Sequence, residues 1–582
     1  MGGGRWRAGL AVALGVAGLL PQVAEAQDVL SVPDLLGVFA SRDAPRYSAG
    51  EASYLHWVGR VGSGEVPPRL VAQLALVVPD SLADALAARP APPDLGARLV
   101  RWWRASDPLP ATPANERVLE HLLRVTAALD AFAADTPTGF DARGDVFVRF
   151  GRPAKKRVVD VEADLFIARA IREEPTVRRT DFPRNEVWYY PALGADTYFV
   201  FVERRGVYEP GEPLDLLPPA LQAGGLSGAL ESRARLLGQT LRWVHKDLAE
   251  FSSRVRSRLL TLDGAVGADG SAYSGTTGLV LQRELQRARR EDAEDRETRD
   301  ATLPAGATQI RRAPFGVARR AAVFLDDAAS PTPYSVWVGW GQERGRLALA
   351  ADSLADLGLE PDRFAVVVTA VGYDAAYERS GTDARVSLLG PADAPTVGWD
   401  VVEGVAPGGS VAVEWDLHPS NDAAELLLPG AVAADVVRVG PVGIDWEGGV
   451  ALSGMLPIDA REALAMDEVD RWAAFPKPRL RPAVRDGEPI GVYYEIYARE
   501  PGTEVDLEVR AVRIREGRIF RPGTDFATGT SSRVVLDETR SSQIAVVDVG
   551  DLDRVDQLRL EVTVTEVATS ARATRSLTFD LD

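Results

Sequence analysis

The chain has 582 residues with 84 acidic and 66 basic side chains, which gives a formal net charge of −18 at neutral pH. A protein that binds a phosphate backbone concentrates positive charge, so this balance argues against nucleic acid as a partner. The chain has no cysteine and 4 histidines, so no disulfide forms, and we expect neither a Cys/His zinc site nor any other metal or cofactor.

The first 26 residues have the pattern of a secretory signal peptide. Arg5 and Arg7 precede the apolar run LAVALGVAGLL, and Ala24-Glu25-Ala26 fits a cleavage site. An apolar run of about 11 residues is too short for a membrane-spanning helix, which needs roughly 20. We therefore expect cleavage after Ala26 and export to the periplasm or the cell exterior, without a membrane span in the mature chain.

Helical patterning with short breaks extends over residues 27–110 and predicts a helix-rich N-terminal region. A longer helix is predicted at Thr112–Phe132, with Thr112 as the N-cap and Pro113 in the first helical position. Its apolar residues recur at helical spacing, as Leu119, Leu122, Val125 and Leu129.

Residues 111–210 are predicted to form a small α+β domain around an antiparallel sheet. Val146–Phe150 alternates in polarity as a strand does, and so do Glu186–Tyr190 and Thr197–Glu203, which form a predicted hairpin. The basic stretch between these strands is expected to be a surface insert with a helix at Ala163–Arg172.

Residues 220–312 are predicted to be helical and charged. The pattern indicates a long helix at Leu226–Leu260, then a glycine-rich break, then a second helix at Gln282–Asp300. The alternating charges of the second helix are typical of a solvated helix or a tether.

After Pro314 the pattern changes to short alternating runs separated by turn residues, which is typical of antiparallel β-sandwiches. Two sandwiches are predicted, at residues 315–425 and 430–582. Their predicted strands are Ala321–Leu325, Tyr334–Trp340, Phe364–Val371, Ser410–Trp415, Ile490–Tyr497, Val505–Ile514, Gln543–Val549, Gln557–Val567 and Ala571–Leu581. The predicted fold class is therefore multidomain, α+β followed by all-β.

Three polar residues, Asp107, Asn115 and Glu116, flank the predicted start of the helix at Thr112. Carboxylate and amide groups at a helix start satisfy free N–H groups and favour the helix dipole. The functional alternative is a polar cluster that binds an anion or a sugar hydroxyl.

Arg143 and Gly144 precede the strand predicted at Val146–Phe150. A turn or bulge that needs a positive φ explains Gly144, and an ion pair with Glu116 or Glu186 explains Arg143.

Trp188 and Tyr189 are neighbours in a predicted strand and therefore point to opposite faces of its sheet. Strand aromatics usually pack in the core on one face. On an exposed face they form a platform that stacks on a sugar ring or a peptide.

The residues between Trp102 and Gly206 form a set with a recognisable order and spacing. The set comprises Trp103, Asp107-Pro108, Pro110, Thr112, Asn115-Glu116, Arg124, Arg143-Gly144, Phe150-Gly151-Arg152-Pro153, Glu186-Val187-Trp188-Tyr189-Tyr190 and Arg204-Arg205-Gly206. It resembles the bacterial family called GWxTD domain-containing proteins. The resemblance implies an exported multidomain protein with a helical N-terminal part, this motif block and β-sandwich modules, and it implies no established reaction. The GWxTD motif itself is degenerate, because Gly139-Phe140-Asp141-Ala142 stands in its place.

No nucleophile elbow, phosphate-binding loop or EF-hand occurs in the sequence, so we expect no catalytic set of these kinds. The leading hypothesis is an exported, non-catalytic binding or assembly protein, in which the motif block is a hub and the sandwiches contact a protein or a glycan. The alternative is a hydrolase of polysaccharide or peptide that uses paired carboxylates, such as Asp141 with Asp145 or Glu186 with Glu203. A structural spacer is a third hypothesis.

Overall fold

The computed structural model describes residues 47–160, 165–174, 176–222, 231–265, 277–309, 317–325, 334–342, 363–388, 396–420, 433–465, 483–484, 488–515, 523–548 and 557–581. The predicted signal peptide lies outside these residues. The chain divides into two compact units, of which the first comprises Met1–Val100 and Val118–Gln309 and the second comprises Arg101–Arg117 and Ile310–Asp582. None of the helices in the described ranges combines the length and apolarity that a bilayer crossing requires.

Helices dominate the N-terminal part of the chain, as the sequence predicts. They are α1 (Tyr47–Gly59), α2 (Pro68–Ala75), α3 (Asp80–Ala87), α4 (Leu95–Ala105), α5 (Glu116–Ala131) and α6 (Ala142–Phe150). Helices α1 and α4 touch main chain to main chain, because a Cβ atom added at Gly96 would lie 2.1 Å from the carbonyl oxygen of Gly59.

Helix α5 begins at Glu116, so the predicted start at Thr112 is wrong. The Thr112 hydroxyl lies within hydrogen-bond distance of the carbonyls of Leu109, at 3.0 Å, and Ala114, at 3.1 Å, and of the Glu116 carboxylate, and its one hydrogen is shared among them. Thr112 therefore shapes the approach to the helix, and Pro113 lies before the helix.

The strand predicted at Val146–Phe150 is also wrong, because these residues belong to α6. Asp141 caps this helix by accepting a hydrogen bond from the Arg143 N–H at 2.9 Å. The buried residues of α6 alternate along the chain, as Gly144, Val146, Val148 and Phe150. Positions two apart lie about 200° apart around a helix, so α6 is covered on two opposite sides. Burial on two sides produces the alternation that predicted a strand.

A four-stranded antiparallel sheet follows α6, with its strands in chain order. They are β1 (Lys155–Arg157), β2 (Asn185–Tyr189), β3 (Tyr198–Arg204) and β4 (Val207–Gly211). The predicted hairpin is confirmed as β2 and β3, in which Val187 pairs with Val200. The helix predicted between these strands is confirmed as α7 (Leu165–Glu173).

Four further helices complete the described part of the first unit: α8 (Pro219–Gln222), α9 (Glu231–Leu248), α10 (Ser253–Ala265) and α11 (Thr277–Thr302). The single helix predicted at Leu226–Leu260 is wrong in the described residues, because the chain breaks between α9 and α10. Leu281 and Leu285 of α11 are buried in the core that α9 and α10 share with β2 and β3. One face of this charged helix is therefore packed rather than solvated.

The described part of the second unit is mainly β, with β5 (Val317–Leu325), β6 (Tyr334–Gln342), β7 (Arg363–Tyr373), β8 (Arg379–Leu388), β9 (Thr396–Val405), β10 (Ser410–Ser420), β11 (Ala433–Val439), β12 (Trp446–Glu447), β13 (Val450–Leu452), β14 (Leu456–Ile458), a short helix α12 (Ala460–Leu464), β15 (Ala483–Val484), β16 (Ile490–Ala498), β17 (Thr503–Arg515), β18 (Gly523–Leu536), β19 (Arg540–Val547), β20 (Gln557–Glu566) and β21 (Arg572–Leu581). The sheet orders are β5-β6-β9, β11-β10-β7-β8, β12-β13-β16-β14 with β19 beside β16, and β15-β21-β20-β17-β18. All pairings are antiparallel except that of β15 with β21.

Two cores show which sheets face each other. Val336 of β6 packs in one cluster with Val366 of β7 and Trp415 of β10, so the first two sheets form a sandwich. Val492 of β16 packs with Val509 of β17 and the other strands of the last two sheets, which form a second sandwich. The predicted fold class is therefore confirmed.

A single methyl group added at the contact between α1 and α4 should destabilise the first unit. We expect Gly96→Ala to lower the free energy of unfolding of the first unit by about 1–3 kcal/mol, because the Cβ atom would overlap the Gly59 carbonyl and force the helices apart. The measurement is urea unfolding followed by circular dichroism.

Gly264→Ala in α10 is the matched control, since a Cβ atom there meets nothing within 4 Å. It should leave stability unchanged or raise it by up to about 1 kcal/mol. Equal stability of the Gly96→Ala variant and the wild type would contradict the close approach of the two helices.

Candidate functional site

Arg143 is held between two carboxylates of the motif block, which we define as residues 102–206. Its Nη2 atom donates to Asp141 Oδ2 at 2.7 Å and its Nη1 atom to Glu186 Oε1 at 2.5 Å. The guanidinium carbon lies 3.7 Å from the centre of the Tyr208 ring. Burial by itself would lower the pKa of Arg143, but the hydrogen bonds and charges of Asp141 and Glu186 raise it. The predicted ion pair with Glu186 is confirmed.

The aromatic residues of β2 are both covered. Trp188 is fully buried, with its ring centre 5.5 Å from that of Phe132, and its Nε1 atom donates to Glu186 Oε2 at 2.8 Å. Tyr189 stacks on Phe251 at 4.9 Å between ring centres. Both residues therefore pack inside the first unit and support the sheet.

Gly144 lies inside α6, and its φ is not positive, so the turn or bulge predicted for it is wrong. A Cβ atom at Gly144 would lie 2.4 Å from Cδ2 of Phe140. Phe140 is fully buried. Glycine is therefore needed because the Phe140 ring packs directly against the helix backbone.

Arg124 joins three parts of the first unit through main-chain carbonyls. Its Nη1 atom donates to the carbonyls of Val148 at 3.2 Å, Arg149 at 3.1 Å and Ala307 at 2.9 Å. Its Nη2 atom lies 2.5 Å from Glu120 Oε1. The side chain is buried, so its role is structural.

The carboxylates of the hydrolase alternative differ in their surroundings. Burial raises the pKa of Asp145 to about 6, with the charge of Asp141 adding to the effect, while a hydrogen bond from Thr138 opposes it. Glu203 lies 3.7 Å from Arg184. Asp141 and Glu186 both bind Arg143. None of these four carboxylates lines either of the two clefts described below.

Asp107 and Glu116 come together in the second unit. The buried carboxyl group of Asp107 accepts a hydrogen bond from the Leu109 N–H at 3.0 Å and lies 3.8 Å from Arg379 Nη2. Burial, followed by the negative charge of Glu116, raises the pKa of Asp107 to about 8, and the charge of Arg438 opposes this. The carboxyl group of Asp107 is therefore harder to ionise than that of a solvent-exposed aspartate.

Residues 101–117, here called the motif segment, are bound to the sheet β11-β10-β7-β8 by arginine side chains. The Nη2 atom of Arg379, the first residue of β8, donates to the carbonyl of Pro110 at 2.8 Å and also to that of Thr112. Arg438 of β11 donates to the carbonyl of Asp107. The segment is therefore attached to both outer strands of this sheet.

Two further hydrogen bonds fix the motif segment. The N–H of Ala111 donates to Glu414 Oε2 of β10 at 2.9 Å, and Asn115 Nδ2 donates to the carbonyl of Trp103 at 2.7 Å. The predicted polar cluster of Asp107, Asn115 and Glu116 thus lies in one segment, where its described contacts are with the protein itself.

A polar cleft of about 350 Å³ lies in the first unit. Four of its five charged lining residues are paired with one another, Arg254 with Asp295 at 2.6 Å and Arg299 with Glu212 at 3.5 Å. The fifth, Asp196, accepts hydrogen bonds from the N–H and the hydroxyl of Ser253. These pairs already neutralise the charges that would recognise a ligand.

A groove of about 310 Å³ lies in the second unit between β8 and β9. It is lined by Ala370, Gly372, Ser380, Gly381, Thr382, Asp383, Val401, Val402, Glu403, Gly404 and Val405. In the described ranges, β8 and β9 are outer strands of the two sheets that form the first sandwich. Ser380, Gly381, Thr382 and Asp383 are exposed, whereas Ala370 and Val405 are buried. The groove therefore has an apolar floor and an exposed strand along one wall.

Each wall of the groove carries a β-bulge. On β8, Gly381 pairs with Gly372 and Arg379 pairs with Tyr373, so Ser380 has no partner in the register. On β9, Glu403 and Gly404 together lie opposite the single residue Ser335 of β6, and Gly404 has a φ of 73°. Bulges bend a strand and redirect its side chains, and they are frequent beside functional sites.

The sequence pattern did not predict this groove, because it indicated no strand at β8 or β9. Glycine and charged residues interrupt the alternation in RSGTDARVSL and TVGWDVVEGV. A short glycine-containing run next to a clear strand is the signal that would have pointed to an outer strand with a bulge.

No protein-family model matches this chain, and a search of curated proteins finds no match either. The resemblance to the GWxTD domain-containing proteins therefore stays a prediction.

The two carboxylates around Arg143 predict a structural role for this side chain. We expect Arg143→Met to lower the free energy of unfolding of the first unit by about 3 kcal/mol, because Asp141 and Glu186 would lose their shared cation in a partly buried site. Urea unfolding measures the change.

Arg184→Met is the control in the same sheet region, because Arg184 is 81% exposed and its ion pair with Glu203 is long, at 3.7 Å. It should cost less than about 1 kcal/mol. Equal effects of the two substitutions would show that the Arg143 cluster does not stabilise the unit.

The raised pKa of Asp107 predicts that the stability of the protein depends on pH. Unfolded aspartate loses its proton near pH 3.8 and native Asp107 near 8, so the native state binds more protons between these values. The free energy of unfolding of wild type relative to that of Asp107→Asn should therefore fall as the pH rises from about 4 to about 8. Urea unfolding followed by tryptophan fluorescence measures this difference.

Glu116→Gln sharpens the same experiment. Because the charge of Glu116 is one cause of the raised pKa, the decline should end at lower pH and be smaller in this background. A difference between wild type and Asp107→Asn that stays constant over this range would contradict the buried carboxyl pair.

Proposed function

We propose that this protein is an exported, non-catalytic binding or assembly protein whose first β-sandwich binds a partner protein. The observation that carries the proposal is the groove between the outer strands β8 and β9. Strands at a sheet edge offer main-chain N–H and C=O groups to another chain, and such edges are a recurring mode of peptide recognition.

The state of the motif block supports a structural role for that part of the chain. Arg143 donates hydrogen bonds to Asp141 and to one carboxylate oxygen of Glu186, and Trp188 donates one to the other oxygen of Glu186. General acid–base catalysis needs carboxyl groups that face a reacting group in an accessible pocket. The motif block is therefore proposed to be a hub related to the GWxTD domain, with its paired polar residues used for stability.

The test compares binding with turnover on the full chain. Purified protein is incubated with an array of extended peptides and an array of oligosaccharides, and bound probe and cleavage products are both measured. We expect retention of extended peptides without cleavage. The variant Gly381→Val should lose this retention, because a side chain at Gly381 projects into open space at the groove wall.

Gly443→Val is the matched control, since a Cβ atom at Gly443 also meets nothing within 4 Å and Gly443 does not line the groove. It should bind as the wild type does. Cleavage of a glycan or peptide that is lost in Asp145→Asn or Glu186→Gln would overturn the proposal in favour of the hydrolase alternative. Binding of oligosaccharides alone would also overturn the choice of a protein partner.

A further inference from the structure

We propose that the groove between β8 and β9 binds an extended segment of a partner protein in which apolar and basic residues alternate. This inference rests on the proposed function and specifies the chemistry of the partner. It follows from the charge, the floor and the strand geometry of the groove.

The charge of the groove has one sign. Asp383 of β8 and Glu403 of β9 are both exposed, and no basic residue is among those that line it. The chain as a whole carries a net charge of −18, which also favours association with a cationic partner. A segment with lysine or arginine side chains would be attracted, and an acidic segment would be repelled.

The floor of the groove favours apolar side chains in the bound segment. Ala370 and Val405 are buried at the base of the groove, and Val402 packs partly against the sandwich core. Gly372 and Gly381 add no side chain above this floor. Small apolar side chains from an incoming segment would cover the part of Val401 and Val402 that is still exposed beside this floor.

The walls of the groove, β8 and β9, favour a bound segment in an extended conformation. Ser380 to Asp383 form a stretch of four exposed residues on β8, which spans roughly 13 Å at the rise of a β-strand. Alternate side chains of an extended segment point to opposite sides, so apolar residues can face the floor while basic residues face Asp383 and Glu403. The bulge at Ser380 places one more residue along this wall than the paired strand β7 has.

The test uses fluorescence anisotropy of labelled peptides with the full chain. The probes are a peptide of alternating lysine and valine, a counterpart of alternating glutamate and valine, and the lysine–valine peptide with alternate main-chain nitrogens methylated. We expect the first to bind and the other two to bind at least roughly tenfold more weakly, because they lack the charge or the main-chain donors.

Asp383→Asn combined with Glu403→Gln should weaken binding of the lysine–valine peptide by roughly tenfold. Glu500→Gln, a substitution of another exposed acidic residue outside the groove, should leave it unchanged. These substitutions lie on the surface, and circular dichroism verifies that each variant is folded.

The outcomes separate this inference from the proposed function. Equal binding of both charged peptides, still lost in Gly381→Val, would overturn the basic partner and leave a strand-binding protein. Undiminished binding of the methylated peptide, or of the lysine–valine peptide to the double variant, would show nonspecific attraction to an acidic protein and overturn the inference. Failure of every extended peptide to bind would overturn both.

Discussion

Hydrogen bonds from arginine side chains to main-chain carbonyls hold together parts of this protein that are distant in sequence. Arg124 does so within the first unit, where it joins the end of α6 to the carbonyl of Ala307. Arg379 and Arg438 do so within the second, where they bind the motif segment. A segment without regular secondary structure has carbonyl groups that need donors, and a guanidinium group supplies several in one plane. In a chain without cysteine, these arginine-to-carbonyl hydrogen bonds are local substitutes for disulfide crosslinks.

The need of buried polar groups for hydrogen-bond partners also explains why the motif block carries so many polar residues without forming an open site. Asp141 caps α6 and also binds Arg143, and Glu186 uses its two oxygens on Arg143 and Trp188. A buried charge is costly unless it is paired and hydrogen-bonded, so each of these residues depends on the others. The surface that remains available for a partner in our proposal lies on the second unit, in residues that have no unusual composition.

The sequence predicted the fold class and most strands of the second unit, because their apolar and polar residues alternate without interruption. It failed at α6, where burial on two opposite sides imitates the period of a strand, and at Thr112, whose hydroxyl serves a turn rather than a helix cap. The partnership of Arg143 with Glu186 was predictable from residue type, since a strand glutamate and a nearby arginine commonly pair. The groove was not predicted, because it depends on the pairing register of β8 and β9, which local sequence does not reveal, and because glycine and charged residues interrupt the alternation of both strands.

The attachment of the motif segment to the second unit has a consequence for biosynthesis. The hydrogen bonds from Arg379 to Thr112 and from Arg438 to Asp107 span 267 and 331 residues of chain. At ribosomal rates of about 5–20 residues per second, the segment would emerge roughly 15–70 s before its last partner strand. During that interval Asp107 has no sheet to cover it, and its carboxyl group is hydrated and charged. Completion of the second unit is then the step at which the carboxyl group of Asp107 is buried, so the contacts of the motif segment with its sheet form late in folding.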